Sequence, residues 1–192
     1  GNTYIALSEA ASALNKEGIA TEIISIGAKA VQGCIACNKC RDGPGRCVFK
    51  DELYNTVREK IMESDGLIVG SPTYYAGPNG SLCALLDRFF YSCTEYLLYK
   101  PAAAIAVCRR GGASATFDRL NKYFTISKMP VVPSQYWNSV HGLFPGEATQ
   151  DAEGLQTMRT LGRNMAWMLK NLNSGPEQTP EPETPQMTSF IR

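Results

Sequence analysis

Apolar positions along the chain follow two periodicities, one typical of amphipathic helices and one of buried strands. Helical spacing predicts an opening helix that ends at Gly18 and a second helix that follows the candidate N-cap Asp51. Further helices are predicted over Ser81 to about Leu98, over Ala113 to Lys128, and along Leu155 to Leu169. Apolar runs between them predict strands over Ala20–Ile26, Asp65–Ser71, Ala102–Arg109 and Val131–Trp137. The last contains Pro133, which indicates an edge position or an irregularity.

Helices that alternate with buried strands predict parallel βαβ units, and therefore an α/β fold with helices on both faces of one open sheet. Such a sheet normally has its first strand in the centre, but here a helix comes first. We therefore expect the natural protein to start upstream of Gly1. Pro and Glu dominate from Gly175, so residues 1–174 are predicted to form one domain and residues 175–192 an extended tail. The apolar end of that tail, Phe190-Ile191, is a candidate anchor on a neighbouring surface.

Composition narrows the classes of function. The 192 residues carry a net charge of +1, which gives no global attraction to nucleic acid or to an anionic membrane. No apolar run approaches the length of a bilayer span, and no leader opens the chain. Seven cysteines are an odd number, which favours a reducing compartment over a disulfide framework. The expected location is the cytoplasm.

Three loops at predicted helix starts or strand ends carry candidate binding residues. Gly1-Asn2-Thr3 precedes a helix, where free N–H groups attract phosphate, although these three residues alone favour an ordinary N-cap. The loop from Ser71 to Ser81 holds adjacent tyrosines and glycines that suit a flat aromatic ligand, and a turn-rich connection is the alternative. Arg109-Arg110-Gly111-Gly112 places positive charge at the end of the next strand, where a ligand that gains electron density would benefit, unless the arginines are simply solvated.

These motifs together resemble the flavodoxin-like NAD(P)H-dependent FMN reductases, in the branch that contains the iron–sulfur flavoproteins. The resemblance rests on Gly-Asn-Thr at 1–3, Ser-Pro-Thr-Tyr-Tyr at 71–75 and Arg-Arg-Gly-Gly at 109–112, and it extends to about Leu172. It implies a three-layer α/β sandwich with a parallel sheet in the order 2-1-3-4-5, of which the first strand is absent from this chain. It also implies FMN as cofactor, with binding roles for Asn2, Thr3, Ser71, Pro72, Thr73, Tyr74, Tyr75, Arg110, Gly111 and Gly112.

The resemblance further implies NADH or NADPH as donor, a small molecule or an electron-transfer protein as acceptor, and a homodimer or homotetramer. No catalytic acid or base is assigned, because the cofactor performs the chemistry. The single histidine, His141, is therefore given no role. A flavodoxin-type electron carrier without hydride chemistry remains an alternative, although flavodoxins usually have a strongly acidic surface. A metal-holding interaction module on a flavin-free fold is another.

Four cysteines fall within one loop, with two-residue gaps that let successive thiolates converge on one centre. They are Cys34, Cys37, Cys40 and Cys47, and the last gap is longer than in ferredoxin-like motifs. Nearby lysines and arginines would partly offset an anionic cluster. The spacing is compatible with a [4Fe–4S] cluster, with unliganded or redox-labile thiols, and with structural zinc. The other cysteines, Cys83, Cys93 and Cys108, are expected to be small buried hydrophobes.

Overall fold

The computed structural model describes residues 1–41, 47–172, 179–181, 183–184, 186 and 188. The predicted boundary between the domain 1–174 and the tail 175–192 therefore lies outside the described residues, as do Phe190 and Ile191. The described residues of the tail are exposed and belong to no helix or strand.

Helices and strands alternate along most of the described chain. The helices are α1 Asn2–Lys16, α2 Glu52–Glu63, α3 Gly80–Ser92, α4 Ala113–Ile126 and α5 Ala152–Leu172. The strands are β1 Leu67–Tyr74, β2 Gly77–Pro78, β3 Ala102–Cys108 and β4 Ser139–His141, and short 3-10 turns cover Thr94–Tyr96 and Glu147–Gln150. None of these helices combines the length and the apolar content that crossing a bilayer requires.

The sheet has the order β2-β1-β3-β4. β1, β3 and β4 run parallel in chain order, and β2 joins β1 as a short antiparallel hairpin. The parallel strands correspond to the last three of the predicted 2-1-3-4-5 order, so the α/β fold is confirmed. Asp51 caps α2 as predicted, since its side chain accepts a hydrogen bond from the Tyr54 amide at 3.0 Å.

Two apolar clusters cover the two faces of the sheet. Alternate residues of β3 enter different clusters, with Ala102 and Ala104 on one face and Ala103 and Ile105 on the other. α2, α3 and α4 contribute to the first cluster, and α1 and α5 to the second. The molecule is therefore a three-layer sandwich whose central strand, β3, is buried along its whole length.

The predicted strand over residues 20–26 is wrong. The segment is described, but it forms no strand. Its side chains are nevertheless held, because Ile24 and Ile26 pack against the α2 side of the core and Glu22 pairs with Lys60 of α2 at 2.9 Å. The apolar run indicated burial correctly, but a strand also needs a neighbouring backbone to pair with.

The predicted strand over residues 131–137 is also corrected. Val131 bridges to Ala102, but the regular pairing resumes only at Ser139, which pairs with Ala106. Four residue steps along β3, from 102 to 106, thus correspond to eight steps along the neighbouring segment, from 131 to 139. Residues 133–137 therefore bulge away from the sheet. Pro133 lies in this bulge, where its missing N–H interrupts no ladder.

Candidate functional site

The carboxyl edge of the sheet gathers the three predicted binding loops. β1, β3 and β4 are parallel and end at this edge, and α4 begins there, after Gly112. The start of α1 lies there too, because Asn2 contacts the loop that follows β4. In open α/β sheets, ligands bind at such an edge.

Asn2 fastens the start of α1 to this loop. Its amide nitrogen donates to the Phe144 carbonyl at 2.9 Å, and its amide oxygen accepts from the amides of Gly146 at 3.0 Å and Ala148 at 3.2 Å. The side chain is thus committed to the loop. Asn2 and Thr3 therefore offer a ligand their backbone N–H groups, which precede the first helical hydrogen bond of α1, from the Ile5 amide to the Gly1 carbonyl. Such groups suit a phosphate.

The loop after β1 is a tight hairpin whose tip is strained. Tyr74 pairs with Gly77, so Tyr75 and Ala76 form the two-residue turn, with φ angles of 49° and 58°. Left-handed conformations cost roughly 1–2 kcal/mol in residues with a Cβ, and they concentrate at functional sites. The Tyr75 side chain is fully exposed and that of Tyr74 largely so. The turn therefore presents two aromatic rings to solvent at the sheet edge.

Ser71 and Pro72 anchor the base of this hairpin. Ser71 is fully buried, and its hydroxyl donates to the Pro72 carbonyl at 2.8 Å while it accepts from the Asn79 amide at 2.9 Å. Asn79 in turn caps α3 by accepting from the Leu82 amide. The Ser71 hydroxyl thus holds the hairpin closed and is not directed at a ligand.

The loop after β3 touches this hairpin through Gly112. A Cβ built on Gly112 would lie 2.8 Å from the Thr73 side chain and 2.9 Å from the Ala76 Cα. The Thr116 hydroxyl also donates to the Thr73 hydroxyl at 3.0 Å. The structure therefore brings the second and third predicted loops into direct contact. Arg110 and Gly111 are exposed beside this contact.

An imidazole–carboxylate pair at the end of β4 was missed by the sequence reasoning. His141 Nδ1 lies 3.3 Å from an Asp151 carboxylate oxygen, and the His141 amide donates to the same oxygen at 2.7 Å. Burial raises the pKa of Asp151, but the hydrogen bonds from the Gly154 and His141 amides and from the His141 ring outweigh it, so the pKa is lowered. The two residues are ten apart, and nothing in their spacing predicted the contact.

The four clustered cysteines line one cavity at some distance along α3 from these loops. The enclosed space is small, about 20 Å³, and it is partly open to solvent. Burial raises the pKa of Cys40, and the neighbouring Cys37, Cys47 and Cys34 thiols raise it further. Within residues 1–41 and 47–172, no three side chains are placed to hold a single metal ion.

The backbone between the first three cysteines is tightly turned. Ala36 and Asn38 have φ angles of 51° and 58°, and the Ala36 amide donates to Cys34 Sγ at 3.4 Å. Left-handed residues in such a loop can turn neighbouring N–H groups toward one point, as at many iron–sulfur sites. Donor type and backbone shape thus suit an iron–sulfur cluster, although the thiols stand around a cavity and do not meet at one point. Gly43-Pro44-Gly45, whose residue types favour a turn that would return Cys47 to the other cysteines, lie outside the described residues.

A buried arginine of α3 reaches this cavity. The Arg88 side chain has no exposed surface, and its Nε donates to Cys47 Sγ at 3.3 Å. Burial would lower the pKa of the guanidinium, but its bonds to Cys47 and Asp51 outweigh burial and the pKa is raised. Arg88 was missed, yet its position three residues after Leu85 on the apolar face of α3 was a usable signal, because a buried charge needs a partner.

The remaining cysteines have other roles. Cys93 and Cys108 are buried as expected, whereas Cys83 is only half-buried. Burial raises the pKa of both Cys83 and Cys108, so neither is an activated thiol. Tyr54 packs under the cysteine loop, where its hydroxyl accepts from the Cys47 amide at 3.4 Å and bonds Ser92 at 2.5 Å. Burial is the main cause that raises its pKa to about 12.

Comparison with known proteins identifies the family. A family model described as NADPH-dependent FMN reductase matches residues 1–143. An iron-sulfur flavoprotein of Methanocaldococcus jannaschii is 34% identical over 178 residues, which cover 88% of this chain and 91% of that protein. One of Methanosarcina thermophila is 29% identical over 159 residues, which cover 81% of each chain.

Solved structures agree on the fold. RosB, solved with bound 8-demethyl-8-formylriboflavin-5'-phosphate, superposes with a TM-score of 0.71 at 15% identity, over 100% of this chain and 86% of that one. A flavodoxin from the domain Archaea superposes with a TM-score of 0.58 at 15% identity, over 88% and 92%. The chain belongs to the NADPH-dependent FMN reductase family, in its iron–sulfur flavoprotein branch, and is a flavodoxin-like, FMN-dependent oxidoreductase.

Proposed function

We propose that the protein takes electrons from NADH or NADPH on FMN and passes them to an acceptor by way of a [4Fe–4S] cluster held by the four clustered cysteines. FMN, when bound, supplies the exchange between two-electron and one-electron chemistry. The observation that carries the flavin site is the contact of Gly112 with Thr73 and Ala76, which joins the loops after β1 and β3 at the sheet edge where α1 begins.

Different residues of this edge would bind different parts of FMN. The N–H groups of Asn2 and Thr3 would receive the phosphate at the positive end of the α1 dipole. Tyr74 and Tyr75 would supply contact area to the flat ring, and Thr73, Gly111 and Gly112 would let backbone approach it closely. The exposed Arg110 would favour the ring when it carries negative charge. Ser71 and Pro72 would act through the hairpin that they hold in place.

The cysteine cavity supports the cluster half of the proposal. Cys34, Cys37, Cys40 and Cys47 all line it, and four cysteine thiolates are the ligand set of a [4Fe–4S] cluster. The iron–sulfur flavoproteins that the chain resembles are named for such a group. Structural zinc and unliganded thiols are the competing occupants of the same residues.

Anaerobic purification tests both cofactors in one preparation. We expect flavin absorption bands, with iron and acid-labile sulfide in amounts that match one [4Fe–4S] cluster per chain. Zinc without sulfide would contradict the cluster, and protein that takes up no flavin from excess FMN would contradict the flavin site.

The hydride step needs a separate measurement. Under anaerobic conditions, NADH or NADPH is expected to bleach the bound flavin rapidly, and the faster of the two identifies the donor. A flavin that neither nucleotide reduces, but that a reduced electron-carrier protein does, would indicate an electron carrier without hydride chemistry.

A further inference from the structure

Arg88 is the largest fully buried side chain of the described residues. It lies on the apolar face of α3, between Leu85 and Ser92. A guanidinium without exposed surface is costly unless its donors are all satisfied, so the groups that satisfy them reveal what the arginine does.

The guanidinium joins both ends of the cysteine segment. Nη1 donates to the Gln32 carbonyl at 3.3 Å, just before the first cysteine. Nη2 donates to the Phe49 carbonyl at 3.2 Å and to the Asp51 carboxylate at 2.5 Å, just after the last. One side chain thus fixes the start and the end of the segment to the same point on α3.

The third nitrogen of the guanidinium, Nε, is directed at a sulfur. It lies 3.3 Å from Cys47 Sγ, and both residues line the cavity that the four thiols share. The rings of Phe49 and Tyr54 flank the guanidinium at 5.4 Å and 4.8 Å, so the charge acts across little solvent. The other donors bind two carbonyls and the Asp51 carboxylate, so among them Nε is the one directed at a thiol of the cysteine motif.

Hydrogen bonds to ligand sulfurs and nearby charges set the potential of an iron–sulfur cluster. A cluster that accepts one electron gains one negative charge. A guanidinium bonded to a ligand sulfur stabilises that charge and makes reduction easier.

We propose that Arg88 is a positioning residue that holds Cys47 as a cluster ligand and raises the reduction potential of the cluster through its bond to the sulfur. This inference rests on the proposed function, because it requires the cluster. The inference adds a functional residue outside the cysteine motif. By raising the reduction potential, Arg88 makes the cluster a better acceptor of electrons from the flavin.

The test compares the full-length protein with its Arg88→Lys variant, both purified anaerobically. Lysine keeps a positive charge that can reach Asp51. It lacks the several N–H donors of the planar guanidinium, so it cannot bond Asp51 and the Cys47 sulfur at the same time. Titration with redox mediators, followed by electron paramagnetic resonance, is expected to show a lower midpoint potential for the cluster of the variant than for that of the wild type. At the wild-type midpoint, the ratio of reduced to oxidised cluster should fall about tenfold, which is about 59 mV for one electron. Iron should also be lost faster to a chelator, with FMN content unchanged.

Arg119→Lys is the matched control. Arg119 pairs at 3.5 Å with Asp87, the neighbour of Arg88 on α3, but its side chain is partly exposed. We expect this variant to keep the wild-type midpoint potential. An equal shift in both variants would overturn the inference, because any altered arginine near α3 would then produce it.

The Asp51→Asn variant distinguishes an effect of the Arg88 charge on the reduction potential from a purely structural role of Arg88. Asparagine still caps α2, but the charge that neutralises Arg88 is gone. The midpoint potential is therefore expected to rise, opposite to the effect of Arg88→Lys. Asp87→Asn removes a carboxylate of the same helix that bonds Arg119 and Tyr123 instead of Arg88, so it measures the effect of losing a nearby negative charge alone. If Arg88→Lys does not fold, this comparison decides: a larger rise in Asp51→Asn than in Asp87→Asn supports the inference, and equal rises or no rise overturn it.

The failures of the two proposals are distinguishable. Wild-type protein that binds FMN but contains no iron and sulfide overturns both the cluster and the role of Arg88. Wild-type protein with a cluster whose potential does not change in Arg88→Lys overturns the role of Arg88 and leaves the cluster standing.

Discussion

The backbone at Gly112 has a φ angle of 88°, which residues with a Cβ rarely adopt, and it lies against Thr73 and Ala76. Conformation and close approach thus both require glycine at this residue. Gly111, next to it, has open space around it. The pair offers a comparison in which the same chemical change meets two different environments.

Gly112→Ala is expected to lower the free energy of unfolding by about 2 kcal/mol, from backbone strain together with crowding. It is also expected to weaken FMN binding, because the added methyl group pushes apart the loops after β1 and β3. Urea unfolding and a fluorescence titration with FMN measure the two effects. Gly111→Ala should change the stability by no more than about 0.5 kcal/mol. Equal losses in both variants would contradict the importance of the contact.

Among the helices, α1 and α5 approach each other most closely where their residues are small. Ala6, Ala10 and Ala13 of α1 are buried, as are Gly162 and Ala166 of α5. A Cβ on Gly162 would lie 2.5 Å from the Ala10 carbonyl oxygen and 2.7 Å from the Ala13 Cβ. The distance between these helices therefore depends on Gly162. The position of the start of α1 at the carboxyl edge of the sheet depends on it as well.

Gly162→Ala should destabilise the protein by about 2 kcal/mol, although the same change in an exposed helix interior stabilises by about 1 kcal/mol. The reversal follows because the obstructing atoms are backbone and a neighbouring Cβ, which cannot rotate away. Thermal and urea unfolding measure it. Gly80→Ala, at the first residue of α3 with nothing within 4 Å, is the control and should be close to neutral. A stabilised Gly162→Ala would show that the helices separate at no cost.

The sequence predicted best those elements in which consecutive apolar residues indicate that both faces are buried. The run Ala102–Cys108 is buried throughout and is a strand as expected. Residues 20–26 are only partly apolar, and their pattern describes side chains and not backbone partners, so the strand prediction failed. The bulge at 133–137 was signalled by Pro133, yet its length depends on where Ser139 finds Ala106, which is a tertiary contact.

The site shows the same division between local pattern and tertiary contact. The three loops could be predicted because each contains its own glycines, tyrosines or arginines in sequence. The contact of Gly112 with Thr73, the commitment of the Asn2 side chain to the loop at 144–148, and the bond from Arg88 to Cys47 join residues that are distant in sequence. No local pattern contains such pairs.

At the scale of the whole molecule, α3 connects the two candidate cofactor sites. It begins beside the hairpin of β1 and β2, where Asn79 caps it and bonds Ser71, and it ends at the cysteine cavity, which Arg88 and Tyr91 line. Its 13 residues span about 20 Å at the usual rise per residue. The fold thus places both sites on one rigid element, so a change at either end is expected to leave the other site folded.

Binding of FMN to the native state stabilises the whole molecule by mass action. FMN at about one hundred times its Kd adds about 2.7 kcal/mol, which corresponds to a rise in Tm of about 5–10 °C for a chain of this size. Riboflavin at the same concentration should produce a clearly smaller rise, because it lacks the phosphate that the N–H groups of Asn2 and Thr3 would bind at the start of α1. Scanning calorimetry with each compound measures the difference. Equal rises would place the phosphate away from α1, and no rise with either compound would contradict the flavin site itself.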